Sequence, residues 1–232
     1  MSRFQWADLI TTDRAAAGAF AEALGWSVSA PLDPTSGYRV FHTAAGPTAG
    51  LSGTDAAEAG STAHWLLQLR VDDLAQTLRR ARFLQLDVLV TPEEGDPHTA
   101  IVADPTGAVF AITDAPAPAT SALDGAVLRC DRPDLGARVY QTLFGLRAGA
   151  PSAQPGGSVT PLRDGDATVA WLFAPDDPPE HGLWIPVFDA AERASVPIAG
   201  SAGLSLDTAR VRRMRAGGAE TMVRFAPPPP EP

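Results

Sequence analysis

An α+β fold made of tandem βαβββ modules is what the sequence predicts, on three observations. Phe4 to Trp26 (FQWADLITTDRAAAGAFAEALGW) reads as a strand feeding a helix that stops at a glycine. The same strand-to-helix plan returns at His64 to Leu84, and again at Val127 to Leu146 (VLRCDRPDLGARVYQTLFGL). Gly25 and Gly145 lie 120 residues apart, the mark of a duplicated domain.

Each element follows from its residues. Phe4 to Ile10 mixes apolar and polar residues at a period of two, which sends Trp6, Asp8 and Ile10 to one face. Thr12 or Asp13 caps a helix whose stripe is Ala16, Ala19, Phe20, Ala23 and Leu24, and Gly25 ends it. Pro31 to Gly37 is a loop, Tyr38 to Thr43 a strand, and Ala49 to Leu51 a short return strand. Residues 54–62 have little to bury and connect onward. His64 to Val71 is the next strand, and Asp72 or Asp73 caps a helix through Leu84 with Leu74, Leu78, Ala81 and Leu84 inward. Strands at Asp87 to Thr91 and Thr99 to Ala103 follow, and DPTG (Asp104 to Gly107) turns tightly into AVFAIT.

Asp114 to Ala122 (DAPAPATSA) is a small, Pro-rich linker, so the domains are expected at 1–115 and 122–232. After Leu146 come strands near Val159 to Leu162, Thr168 to Phe173 and Leu183 to Phe188. The last quarter is less regular. Gly203 to Asp207 reads as a strand, Thr208 to Ala216 as a helix and Thr221 to Phe225 as a return strand, so the second domain is degenerate at its C-terminal module.

Composition narrows the partners. A net charge of −9 argues against a phosphate-backbone partner, so no nucleic acid is expected. Arg79, Arg80, Arg82 and, later, Arg210, Arg212, Arg213 and Arg215 read as solvated helix faces. Cys130 is the only cysteine, which leaves no intrachain disulfide and no cysteine-rich metal site. No signal peptide and no apolar run of the ~20 residues that span a bilayer are evident. A cytoplasmic protein without a membrane partner, monomer or homodimer, is the expectation.

With these residues in place the sequence resembles the vicinal oxygen chelate superfamily, the glyoxalase, bleomycin-resistance and extradiol-dioxygenase group. The resemblance is carried by DLITTDRAAAGAFAEALGW, VDDLAQTLRRARFLQLDV and DPTGAVFAI in the first half and by VYQTLFGL in the second. It implies paired modules whose curved sheets form an open cup. In metal-dependent members the first strand of each module supplies His, Gln or Glu, and the last strand Glu, to a divalent ion.

Transferred to this chain, those positions fall on Trp6, Leu66 and Ala111, and in the second domain on Ala126. An indole, an isobutyl and a methyl offer no lone pair to a hard cation, so neither metal nor cofactor is expected. By parity Asp8, Gln68 and Arg70 face the same cup. Two readings of Asp8 and Arg70 stand: a pair that orients a polar substrate, with Asp8 a general base, or a salt bridge at the rim. Trp6 is either a stacking platform or a filler of the metal's volume.

Of His42, His64, His98 and His181, His42 is the best acid/base candidate because its strand should line the sheet. Trp171, Phe173 and Trp184 line an apolar pocket or form a collapsed core. The expected function is a metal-free protein holding an aromatic or polyketide-like metabolite. The alternative is a metal-independent enzyme of specialised metabolism (cyclase, isomerase or hydroxylase-like) using Asp8, Arg70 and His42. A metal-dependent lyase or dioxygenase needs ligands that the sequence lacks.

Overall fold

The computed structural model describes residues 4–32, 34–53, 63–93, 96–116, 123–190, 205–206, 209–216 and 219–225. Among them are seventeen strands and three helices, a mixed α+β, sheet-dominated chain. Two compact units share it. The terminal unit takes Trp6–Trp65, Pro118–Asp124 and Pro186–Pro232, and the middle unit Met1–Gln5, Leu66–Ala117 and Gly125–Ile185.

The terminal unit begins in β1 (Phe4–Thr11), which leads into α1 (Arg14–Ala23). Asp13 caps α1 as its sequence position predicts, its carboxylate accepting the Ala16 N–H at 2.9 Å. The buried stripe is Ala17, Phe20, Ala21 and Leu24, not Ala16, Ala19 and Ala23, because a run of alanines leaves the phase of the stripe to Phe20. Gly25 then takes φ +70°, open to glycine at little cost. Next come β2 (Ser27–Val28), β3 (Arg39–Thr43) and β4 (Gly46–Gly53), joined in the order β2-β3-β4-β1 with β1 parallel to β4.

The described C-terminal residues of this unit form most of β14 (Leu183–Ala190), β15 (Ser205–Leu206), β16 (Ala209–Ala216) and β17 (Ala219–Phe225), in the order β14-β17-β16-β15. Here the predicted helix over Thr208 to Ala216 is corrected. Residues 209–216 run antiparallel to β17, Arg210 facing Phe225 and Arg215 facing Glu220. Arginine is a good helix former, yet ladder pairing overrides so weak a preference. Of the predicted strand Gly203 to Asp207, Ser205–Leu206 is β15 and the remainder lies outside the described residues.

The middle unit holds most of β5 (His64–Arg70), then α2 (Leu74–Phe83), β6 (Asp87–Val90), β7 (Thr99–Ala103) and β8 (Val109–Thr113), with strand order β5-β8-β7-β6. Asp73 caps α2 through the Gln76 N–H at 2.7 Å. Most of β9 (Leu123–Arg129), α3 (Pro133–Phe144), β10 (Arg147–Ala148), β11 (Ser152–Gln154), β12 (Gly157–Asp164) and β13 (Ala167–Pro175) complete it, in the order β10-β12-β13-β9 with β11 on β12. Pro133 starts α3, where a missing N–H costs nothing, and Gly145 ends it at φ +70°.

The DPTG turn does more than reverse the chain. Oδ1 of Asp104 accepts the N–H groups of Thr106 (2.7 Å) and Ala108 (3.2 Å) and the Thr106 hydroxyl (2.6 Å). Its Oδ2 accepts the Tyr140 hydroxyl of α3 at 2.7 Å, and that oxygen in turn accepts the Trp184 indole N–H at 2.9 Å. Gly182 N–H bonds to the Thr106 carbonyl, and the Arg132 guanidinium to that of Pro105. A buried carboxylate is tolerated because four donors surround it.

Candidate functional site

In the terminal unit, alternation along β1 puts Trp6 and Asp8 on the face opposite Ala7 and Leu9, which are sealed in the core. Asp8 lies beside Gly50 of β4, and Gly50 beside Val40 of β3. The Asp8 carboxylate accepts the Trp6 indole N–H at 3.0 Å and the Tyr38 hydroxyl at 2.7 Å. A Cβ at Gly50 would overlap both Asp8 and Tyr38, so glycine is what lets the two side chains meet over β4. Burial first, and then the charge of Asp8, push the Tyr38 hydroxyl above the ordinary phenol range. It therefore donates to Asp8 and is no base.

In the middle unit, burial alternates along β5. Along β5, Trp65, Leu67 and Leu69 are buried, whereas Leu66, Gln68 and Arg70 are half-exposed. Register fixes their neighbours: Gln68 beside Ala111 and Ile101, then Arg70 beside Thr113 and Thr99. The Thr99 hydroxyl bonds to Asp96 and to Thr113. Among the described residues no carboxylate forms an ion pair with Arg70.

The other sequence candidates lie elsewhere. His42 is half-buried in β3 opposite Pro47, three residues along β4 from the Asp8 row, a strand distance of about 10 Å. Trp184 is enclosed by Phe4 (5.3 Å between ring centroids) and Tyr140 (5.2 Å). Trp171 and Phe173 are buried on β13. Like the Tyr38–Asp8 bond, another pairing escaped sequence reasoning: His98 Nδ1 meets the Asp114 carboxylate at 2.9 Å where β7 and β8 meet their loops. A cleft of about 300 Å³ lies between α2 with its lead-in (Asp72, Gln76, Arg80) and the end of α3 (Gln141, Gly145).

The positions that hold a metal in the resembling family do not fit one here. Trp6 and Leu66 each stand seven residues before their helix caps, Asp13 and Asp73. The same count from the α3 cap, Arg132, gives Gly125 and corrects Ala126, which faces α3 with zero exposure. α3 has one more residue between its cap and its terminal glycine than α1 does, so counting from the glycine slips the strand register by one. Gly125 has no side chain, and a Cβ there would come within 3.1 Å of the Trp171 ring. With Ala111 buried in β8, none of these positions carries a donor. Among the described residues, no three His, Cys, Asp or Glu side chains gather into a metal-sized group.

In fold the chain is similar to several solved structures, dioxygenases among them. One such structure is 2,2',3-trihydroxybiphenyl 1,2-dioxygenase from dibenzofuran-degrading Sphingomonas wittichii, with 13% identity over 97% of this chain and 90% of that one, TM-score 0.68. Another is the 2,3-dioxygenase LapB from a Pseudomonas species, with 15% identity over 99% and 94%, TM-score 0.66. A third is a mutant 4-hydroxymandelate synthase from Streptomyces coelicolor, with 14% identity over 98% and 94%, TM-score 0.65. At such identities the likeness is one of fold alone. No family model and no curated relative matches the chain. No helix among the described residues is long and apolar enough to cross a membrane.

Proposed function

We propose that this chain is a metal-free small-molecule-binding protein of the glyoxalase/bleomycin-resistance type, holding an aromatic or polyketide-like metabolite against a sheet face. We take it as two tandem domains, 1–115 and 122–232, the second degenerate at its end, in a cytoplasmic monomer or homodimer without cofactor. One observation carries the reading: Trp6, Leu66, Ala111 and Gly125 stand where the family's ligands would, and none can bind a cation. Trp6 and Asp8 are the residues that support a rigid, preorganised floor, because the bond between them fixes the indole. Metal analysis of the purified protein, with a thermal-shift screen of flat aromatic metabolites, tests the proposal. Metal well below one equivalent together with ligand-induced stabilisation is expected; a stoichiometric, tightly held Fe, Mn, Ni or Zn overturns it.

A second reading, a metal-independent enzyme of specialised metabolism, is favoured by Asp8 itself. A buried carboxylate already bonded to a phenol can take or hold a proton during turnover. Asp8→Asn separates the two readings. A carrier keeps its ligand, whereas an enzyme loses turnover of that ligand by about 10²-fold or more.

A further inference from the structure

We infer that Tyr38 is a built-in occupant of the site over Gly50, and that the ligand which takes its place is a neutral aromatic alcohol whose hydroxyl lands between Asp8 and Trp6. This rests on the proposed function and adds the group that is recognised and the side chain that must leave.

The hydrogen bonds around the phenol oxygen define that group. It donates to the Asp8 carboxylate at 2.7 Å and accepts the Trp6 indole N–H at 3.4 Å, which also reaches Asp8 at 3.0 Å. A group in this place must therefore give one hydrogen bond and take another. A hydroxyl does both. An ether gives none, an ammonium takes none, and a carboxylate is repelled by the charge of Asp8. Gly50 beneath has no side chain, and a Cβ there would overlap both the phenol and Asp8, so the floor admits the end of an aromatic ring.

Tyr38 is also placed to leave. It stands just before β3, after Gly37 at φ +62°, and it is half-exposed, whereas Trp6 and Asp8 are each 9% exposed and Gly50 is buried. The ring is thus the outermost layer of the cluster, and the ligand inherits the volume that the ring fills, so no empty cavity is needed beside it. Its backbone is tied separately, the carbonyl accepting the Leu32 N–H at 2.8 Å and the N–H reaching Ser36 Oγ at 3.3 Å. Turning the side chain outward breaks the bonds of the phenol and leaves those two in place. Trp6 and Asp8 stay bonded to each other when it goes, so the uncovered floor keeps its shape.

The probes are 2-naphthol and its methyl ether, 2-methoxynaphthalene, titrated by calorimetry into the full chain. Tyr38→Ala removes the competitor and should bind 2-naphthol about tenfold to a hundredfold more tightly than the parent, the range for a hydrogen bond to a charged group. Both proteins should favour the alcohol over the ether by about tenfold or more, and Asp8→Ala added to Tyr38→Ala should bring the two probes within about threefold. The chain has two tyrosines, so 3-fluorotyrosine labelling gives two fluorine resonances, and the one lost in Tyr38→Phe reports the displacement. On saturation with 2-naphthol that resonance should move to its position in the unfolded chain, while the Tyr140 resonance stays. Melting curves accompany each variant, and if Tyr38→Ala does not fold, the fluorine spectrum of the parent decides. Binding that leaves the Tyr38 resonance in place, no gain in Tyr38→Ala, equal affinity for alcohol and ether, or no binding of either probe overturns the inference. The metal assay keeps the two proposals apart: stoichiometric metal with Tyr38 displaced sinks the metal-free reading alone, and metal-free binding with Tyr38 in place sinks this inference alone.

Discussion

Tyr38 donates a 2.7 Å hydrogen bond to Asp8 over the bare backbone of Gly50, and the same carboxylate holds the Trp6 indole. Three side chains on two segments are thereby fixed by one acceptor. Tyr38→Phe removes a buried donor from a charged acceptor and should cost about 1–3 kcal/mol by denaturant unfolding. Little or no loss would mean that water replaces the phenol.

Gly50→Ala is the sharper test of the same spot. Its methyl would overlap both Asp8 and Tyr38, and neither is the free end of a flexible chain. A loss of about 1–3 kcal/mol, the usual cost of overpacking, is expected. The intrinsic fluorescence of Trp6 should change with it, and a variant as stable as the parent contradicts the packing described.

The chain has two tyrosines, and both hydroxyls are pushed up, by burial first and by Asp8 or Asp104 next. A folded-state pKa above the unfolded one means that the folded protein keeps a proton the unfolded chain gives up. Stability from these groups is therefore complete below about pH 10 and declines as pH rises above it. In an alkaline titration, tyrosinate absorbance should be absent from the native protein near pH 10 and should appear together with unfolding. A smooth titration near 10 in folded protein refutes it.

Cys130 is fully buried, and burial first, then Asp104, push its thiol up to about 12. So little thiolate exists near neutrality that an aromatic disulfide reagent should leave the native protein unlabelled and modify one thiol after denaturation. Rapid labelling without denaturant contradicts this burial.

Asp104→Ala strips the DPTG turn of the acceptor for four hydrogen bonds. A cost of about 3 kcal/mol or more is expected, and Asp104→Asn should recover part of it, because one amide oxygen still accepts. Equal losses in both variants would show that charge, and not hydrogen bonding, is what matters there.

Much of this was written locally in the sequence. Asp13 and Asp73 announce their helices because a side chain two or three residues before a helical N–H can reach it whatever the rest of the fold does. Strand parity was likewise legible: Trp65, Leu67 and Leu69 go inward and Leu66, Gln68 and Arg70 do not. What failed was anything set by partners distant in the chain. Residues 209–216 are a strand because of their pairing with β17, and nothing within them says so. The slip from Gly125 to Ala126 came from one extra residue in α3. Tyr38 lies thirty residues from Asp8 and His98 sixteen from Asp114, and no spacing rule joins them. A glycine inside a strand, Gly50, was the one available hint of crowding over β4.

Asp104 belongs to the first half of the chain, and Tyr140, Trp184, Gly182 and Arg132, which close around its turn, belong to the second. Cutting the gene between Pro116 and Leu123 would thus separate this turn from the residues that close around it. The amino-terminal fragment would carry Phe110, now 5.6 Å from the Tyr140 ring, into water along with an unsated acid. The two stretches of chain are mutually dependent around this turn, and co-expression of the severed halves should rescue what neither accomplishes alone.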